Sequence, residues 1–154
     1  MKIQVRVLVL TAGLMTASAA VFAHHSESIN DQNRLLAITG TVTQFGFTNP
    51  HANINLDVQD ANGNVEHWVA TVGGPSAMRR LGWTNTILKV GETITITGFP
   101  YKDGRNVLFW LKLERPNGEV LPVEDAITGR LERFLALHPN QKPEVHGVAE
   151  KIKR

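Results

Sequence analysis

Residues 52–72 read ANINLDVQDANGNVEHWVATV. In the first part of this stretch apolar residues alternate with polar ones and so share one face of a half-buried strand: Ala52, Ile54, Leu56 and Val58. The segment 60–64 supplies residues that tolerate the positive backbone angles of a hairpin turn. Residues 65–72 then return as the partner strand. The stretch therefore predicts an antiparallel hairpin and a β-rich fold.

Further strands are predicted on both sides of this hairpin. Residues 37–47 are rich in Thr, Val and Phe, and Gly40 and Gly46 suit a strand that bends or bulges. Residues 92–99 alternate around two inward isoleucines, and a turn then leads into a last strand at 106–114.

One short helix is predicted between the third and fourth strands. Residues 75–81 fit it, with Pro75 or Gly74 at the start and Gly82 as the stop. This order of elements is that of a small five-stranded Greek-key barrel of the oligonucleotide/oligosaccharide-binding (OB) type. An open β-sandwich would allow the same alternation. The place of the helix and the long, glycine-bent first strand favour the barrel.

The segments that flank the barrel differ from it in composition. We divide the chain after the first 23 residues into a polar lead-in (24–36), the barrel (37–119) and a C-terminal tail (120–154). Within the tail, residues 123–137 place apolar side chains near helical spacing, which predicts an amphipathic helix packed on the barrel or on a partner copy. Past Pro139 the polar composition predicts little fixed structure.

The N-terminus has the order of charge and hydrophobicity of a secretory signal. Lys2 and Arg6 precede an apolar stretch and then small residues, which predicts a cut after Ala23, with Ala19 as the competing position. The apolar stretch is shorter than the roughly 20 residues that a spanning helix needs. We therefore expect a periplasmic or secreted protein without a transmembrane anchor.

Charge and cysteine content limit the function classes. The chain has 16 Lys+Arg and 14 Asp+Glu, and the signal removes two basic residues and no acid, which leaves 14 of each. A near-neutral domain gives no general electrostatic case for nucleic acid or anionic lipid. Cysteine is absent, so thiolate metal sites and cysteine nucleophiles are excluded. The sequence contains no Gly-x-Ser-x-Gly nucleophile elbow and no phosphate-binding glycine loop. Catalysis is therefore the least favoured hypothesis of function.

A cut after Ala23 would create a new chelating terminus. His24 would then offer both its free amine and its imidazole to one metal ion, and His25, His51 or His67 could complete a nitrogen-only set suited to copper. The alternative is that His24 and His25 form a solvated terminus and that His51 caps a turn.

Asn49 and Trp83 are candidates for the rim of a ligand site. Asn49 belongs to a tight Asn-Pro-His loop, and Trp83 directly follows the predicted helix end. Core packing is the alternative for Trp83. Arg79 and Arg80 are interpreted as a solvated helix face with one aliphatic stem packed down.

Four motifs together resemble a family of small exported bacterial proteins of unknown function, over roughly residues 23–121. They are Ala23-His24-His25-Ser26, Gly40-Thr41-Val42 followed by Phe47-Thr48-Asn49-Pro50-His51-Ala52, Trp68, and Leu81-Gly82-Trp83 followed by Leu88-Lys89-Val90-Gly91-Glu92. The resemblance implies export and a small β-rich domain, places His24-His25 and Asn49-Pro50-His51 among the recurring features, and implies no activity. The tail from Pro122 onward departs from the family pattern.

Three hypotheses of function follow. The first is a non-enzymatic binding module with a small-molecule, peptide or envelope-protein partner at the barrel mouth. The second is a copper or other metal-binding protein that uses His24, His25 and His51. The third is a scaffold protein that forms oligomers through its tail helix.

Overall fold

Six strands and two helices follow one another in the structure, a computed structural model that describes residues 29–147. They are β1 (Leu36–Phe47), β2 (Ala52–Gln59), β3 (Val65–Val72), α1 (Pro75–Arg80), β4 (Thr93–Pro100), β5 (Val107–Glu114), α2 (Asp125–Leu137) and β6 (Glu144–His146). These elements belong to the compact unit that begins at Asp31. The predicted export signal, its cleavage site and the pair His24-His25 lie outside the described residues.

The first five strands form a closed barrel. Their order is β2-β3-β5-β4-β1, and a further pairing of β2 with β1 closes the ring. All neighbours are antiparallel except β3 and β5, which run parallel. With α1 placed between β3 and β4, this is the OB topology. The structure confirms the predicted fold class and excludes the open sandwich.

Strand β1 closes the barrel because it pairs along its length with two neighbours. Its first half pairs with β4 and its second half with β2, and the register shifts between Val42 and Gln44. Gly40 lies where the pairing changes over, and a Cβ there would lie 2.7 Å from the Asp57 carbonyl oxygen. The close approach of the Asp57 backbone explains the predicted role of Gly40 in a bent strand, because only glycine, which lacks a Cβ, permits it.

The barrel interior is apolar and closely packed. The inward residues of the hairpin are the predicted ones, and Ile94 and Ile96 meet them from β4. Trp83 and Trp110 lie in this core with their ring centroids 5.4 Å apart.

Helix α2 covers the outer side of the barrel at β5. A second apolar cluster forms there and consists of Leu35, Phe99, Leu111, Ile127 and Phe134. The helix predicted at 123–137 is therefore present, begins two residues later, and packs on its own barrel. Within residues 29–147 no helix is both long and apolar enough to cross a membrane.

The tail after α2 corrects one prediction. Residues 140–147 were expected to have little fixed structure, yet β6 pairs in parallel with Leu36–Ile38 of β1. The Arg34 guanidinium forms a bidentate ion pair with Glu144, and the His146 ring lies 5.6 Å from that of Trp68. The expectation was wrong because these partners are distant in sequence, so local composition does not reveal them.

Candidate small-ligand groove

A groove lies between the C-terminal half of α2 and the barrel, and we call it the α2 groove. Its volume is about 230 Å³, and its lining comprises Gln32, Asn33, Phe99, Arg130, Arg133, Phe134, Leu137 and His138. Phe99 and Phe134 are buried and form its base, with ring centroids 5.7 Å apart and planes tilted by 57°. Aromatic rings at this separation and angle make a favourable edge-to-face pair. The base is therefore a rigid apolar surface.

Helical geometry brings the cationic residues to one wall of the α2 groove. At about 100° per residue, Arg130, Arg133, Phe134 and Leu137 fall on one face of α2, whereas Glu132 falls on the opposite face. The Arg130 guanidinium carbon lies 5.5 Å from the centroid of the Phe109 ring, a cation–π geometry. The Asp31 carboxylate, which precedes the lining residues Gln32 and Asn33 in the chain, accepts the Asn33 N–H at 3.1 Å.

His138 ends α2 at the mouth of the groove. Its ring stacks on Phe134 with centroids 4.5 Å apart, and its Nδ1 donates to the Phe134 carbonyl oxygen at 3.0 Å. This hydrogen bond occupies Nδ1, so the opposite nitrogen, Nε2, is the one left to meet a ligand.

The facing wall is held in place by backbone contacts of the lead-in turn. The Asp31 N–H donates to the Pro100 carbonyl at 2.8 Å, and the Gln141 side chain donates to the Asn33 carbonyl at 3.3 Å. The Arg34–Glu144 ion pair ties the same turn to β6. The Arg34 hydrogen bond lowers the pKa of Glu144, so this carboxylate stays charged at neutral pH.

The outer face of β1, β2 and β3 is polar. Two side-chain pairs bridge it: Asn55 donates to Gln44 at 2.8 Å, and His67 Nδ1 lies 2.7 Å from Asp57 Oδ1. None of these three strands contains a lysine or an arginine. In OB barrels that bind oligonucleotides, this is the face that carries the ligand.

Comparison with known proteins identifies a family. A model described as "Family of unknown function (DUF6152)" matches residues 11–108, more than half of the chain. The chain belongs to this family. The match contains the loop before β2 and excludes α2 and β6, so the cationic wall of the α2 groove lies outside the part that defines a DUF6152 protein.

Comparisons with curated proteins and with solved structures give less information than the family match. No curated protein matches this DUF6152 chain. Among solved structures, it is similar to the dimeric N-terminal domain of PriB from Thermoanaerobacter tencongensis, at 18% identity and a TM-score of 0.38. That similarity covers 59% of this chain and 99% of the PriB chain.

The predicted metal ligands are only partly described. Asn49 and His51 are exposed in the loop between β1 and β2, whereas His24 and His25 lie outside the described residues. His67 points to solvent and pairs with Asp57. Within residues 29–147, no group of three His, Cys, Asp or Glu side chains could hold a metal ion. The shared site of His24, His25 and His51 thus stays a prediction.

The position of Trp83 argues against its predicted place at a ligand rim. Its side chain is 2% exposed, and its indole N–H donates to the Pro122 carbonyl at 2.7 Å. The residue is buried because the loop after α1 folds inward, and the tail supplies the acceptor. Asn49 keeps the exposed position that a rim residue needs. Arg79 packs over Phe47, with 5.0 Å from its guanidinium carbon to the ring centroid, as expected for a packed stem.

Sequence reasoning missed the α2 groove. Arg130, Arg133, Phe134 and Leu137 share a helical face that the sequence already indicates. Phe99, however, belongs to a strand whose sequence did not indicate that a helix packs against its outer face. The missing information was the pairing of these two elements.

Proposed function

We propose that this DUF6152 protein is an exported binding module that holds a small ligand in the α2 groove. The single observation that carries the proposal is the groove itself, in which an aromatic base meets guanidinium, imidazole and amide groups at the rim. A concave apolar surface with a few convergent polar groups is the usual form of a small-molecule site. The predicted export signal places this activity in the periplasm or outside the cell.

Binding, and not catalysis, is the chemistry that the lining residues offer. The groove is lined by two amides, two guanidinium groups, one imidazole and apolar side chains. Hydrolytic sites of the common types need a nucleophile beside a base, or a pair of carboxylates. The lining contains neither arrangement.

A ligand other than nucleic acid is supported by charge. The outer face of β1–β3 lacks basic residues, and the processed chain would carry equal numbers of acids and bases. Single-stranded nucleic acids are held by a basic groove with exposed aromatic side chains. Trp68, the tryptophan on these strands, is buried.

The test is an NMR titration of the processed protein with two ring probes, 2-naphthol and 2-naphthoate. We expect at least one probe to shift the backbone amides of Asn33, Phe99, Phe134 and His138, while the amides of β2 stay in place. If neither probe perturbs these amides, the α2 groove is not a ligand site.

Metal binding is the second candidate function, and the exposure of His51 on a short loop within the family-defining region favours it. In isothermal titration of Cu(II) into processed protein, we expect tight binding that is weakened in His24→Ala and in His51→Ala. His67→Ala tests the alternative third ligand, and His138→Ala is the control, because His138 is not part of the predicted metal set and its Nδ1 is hydrogen-bonded to the Phe134 carbonyl. Cu(II) binding that is unchanged in His51→Ala would exclude a metal site shared by His24, His25 and His51.

A further inference from the structure

We propose that the edge of β1 at Leu36–Ile38 is an acceptor site for an extended peptide strand, and that β6 occupies this site within the same chain. The site is separate from the α2 groove and does not depend on the function proposed there. Within residues 29–147, β2 pairs with β1 only from Thr41 onward, whereas β4 pairs with the other edge from Leu36. The strand that covers Leu36–Ile38 opposite β4 is therefore β6. A strand edge of this kind is a template for strand addition.

The acceptor edge lies in the part of the chain that defines the DUF6152 family, and β6 does not. The family match covers residues 11–108, which include all of β1 and β4, whereas β6 begins at Glu144. The strand that fills the edge in this chain is thus an addition to the family-defining part. The edge suits a strand from a partner as well as it suits β6.

The attachment of β6 is weak enough to be exchanged. The strand has three residues, and Val145 is 75% exposed. The Arg34–Glu144 ion pair joins side chains that are about half exposed, and such pairs contribute little free energy. A competing peptide would displace β6 without disturbing the pairing of the barrel strands.

The side-chain contacts of β6 define the peptide that the edge accepts. Glu144 accepts two hydrogen bonds from the Arg34 guanidinium, which selects an acidic first residue. Val145 faces solvent, so the second position is free to vary. The His146 ring lies 5.6 Å from the Trp68 ring, which favours a ring at the third position.

Glycine is required at the fourth position. Gly147 has a φ of +89°, and a Cβ there would collide with the Thr39 carbonyl group of β1 and lie 3.0 Å from Val58 Cγ1 of β2. Gly147 therefore lies where β1 and β2 diverge, and a side chain would push the strand out. The partner is an extended segment with the pattern acid, any residue, ring, glycine.

The test is disulfide capture, because the chain has no cysteine of its own. Ala37 is the register partner of Val145, and neighbouring strands lie about 5 Å apart, within the range that a disulfide spans. Processed Ala37→Cys protein is mixed in a glutathione buffer with the peptide Pro-Glu-Cys-His-Gly. This peptide repeats residues 143–147 with cysteine in place of Val145. Mass spectrometry measures the fraction of protein that carries the peptide.

We expect little capture while the native β6 is in place, because its tether gives it a high local concentration. Gly147→Val in the same protein should release β6 and raise capture about 10-fold. Glu144→Lys, which repels Arg34, should raise it as well. A peptide with valine in place of its glycine should be captured about 10-fold less. Thermal melts check that both protein variants fold.

Asn53→Cys is the matched control, because Asn53 is exposed on β2, which among the described strands pairs with β1 and β3 and not with β6. It should capture both peptides equally. Equal capture of the two peptides by Ala37→Cys, the same preference at the control position, or no increase in either tail variant would overturn the proposal. A dimer, detected by light scattering, that Gly147→Val dissociates would also overturn it, because β6 of a second copy would then be the occupant.

Discussion

Trp83 and Trp110 show how one hydrogen bond distinguishes two neighbouring core residues. Both are almost fully buried and touch through their rings. The Trp83 N–H has the Pro122 carbonyl as its acceptor. Within residues 29–147, the Trp110 N–H has no partner. Since a buried polar group without a partner is destabilising, the two indoles contribute differently to stability.

We expect Trp83→Phe to cost about 1 kcal/mol more in unfolding free energy than Trp110→Phe. Each substitution removes a similar volume, but only the first breaks a hydrogen bond and leaves a carbonyl unpaired. Urea unfolding of both variants measures the difference. Equal losses would show that the Pro122 contact adds nothing to stability.

At the scale of elements, α2 contains a glycine that the structure does not require. Gly129 lies in the middle of the helix, and its φ angle is not positive. A Cβ at this position would meet no atom within 4 Å outside the neighbouring backbone of the helix. Glycine in a helix interior costs about 1 kcal/mol relative to alanine. Gly98 in β4 is the opposite case, because a Cβ there would collide with the Phe109 backbone.

Gly129→Ala should therefore raise the unfolding free energy by up to about 1 kcal/mol. Gly98→Ala is the contrasting variant and should lower it. Thermal melts followed by circular dichroism test both. A destabilised Gly129→Ala protein would mean that α2 needs the flexibility of glycine at this point.

The element β6 is attached through an ion pair that depends on pH. The folded-state pKa of Glu144 is lowered, first by the hydrogen bond from Arg34. Its contribution to stability is therefore fully present above the unfolded pKa of about 4.3 and is lost as pH falls through the lower folded pKa. Both side chains are about half exposed, so solvent screening keeps the contribution small.

We expect Glu144→Gln to lower the unfolding free energy by no more than about 1 kcal/mol at pH 7. The difference from the unsubstituted protein should shrink as pH falls below the unfolded pKa and disappear once pH lies below the lowered folded pKa, where the carboxylate is protonated in both states. Urea midpoints measured across this pH range provide the test. A difference that persists at low pH would assign the loss to packing and not to charge.

At the scale of the whole molecule, α2 and the barrel share an apolar cluster. Phe134 belongs to it, whereas Leu137 is 70% exposed. All three tryptophans of the chain lie outside α2, so tryptophan fluorescence reports on the barrel alone. The two parts are expected to unfold together if the shared cluster couples them.

Phe134→Ala should cost about 3–5 kcal/mol in unfolding free energy, because it leaves a cavity against Phe99. Tryptophan fluorescence and helical circular dichroism should give the same lowered urea midpoint. Leu137→Ala, on the same helix, is the control and should change little. A fluorescence midpoint that does not move would show that α2 unfolds independently of the barrel.

Much of the fold could be predicted because local periodicity encodes it. The alternation at 52–58 and 94–96 places every second residue, from Ala52 and from Ile94, inside the barrel, and the period change at Pro75 marks α1. β1 was predictable as a bent strand because glycine is the residue that allows neighbouring backbones to approach. Membership of a family of unknown function was also visible in spaced motifs.

The α2 groove was not predicted from the sequence, and the described residues among the predicted site residues do not line it. Asn49 and His51 were singled out from their loop, and both are exposed. Trp83 was misplaced because exposure depends on how the loop after α1 folds, which no local pattern records. The α2 groove was missed because it needs Phe99 and Phe134 to meet across elements.

By itself, therefore, the sequence determined the five barrel strands, both helices and the barrel class, since these follow from the spacing of apolar residues along a short stretch of chain. Only the tertiary structure decided that α2 covers β5, that β6 joins β1, and that two arginines line one groove with two buried phenylalanines. These are contacts between residues far apart in the chain. They depend on which faces meet in space, and spacing along the sequence does not specify that.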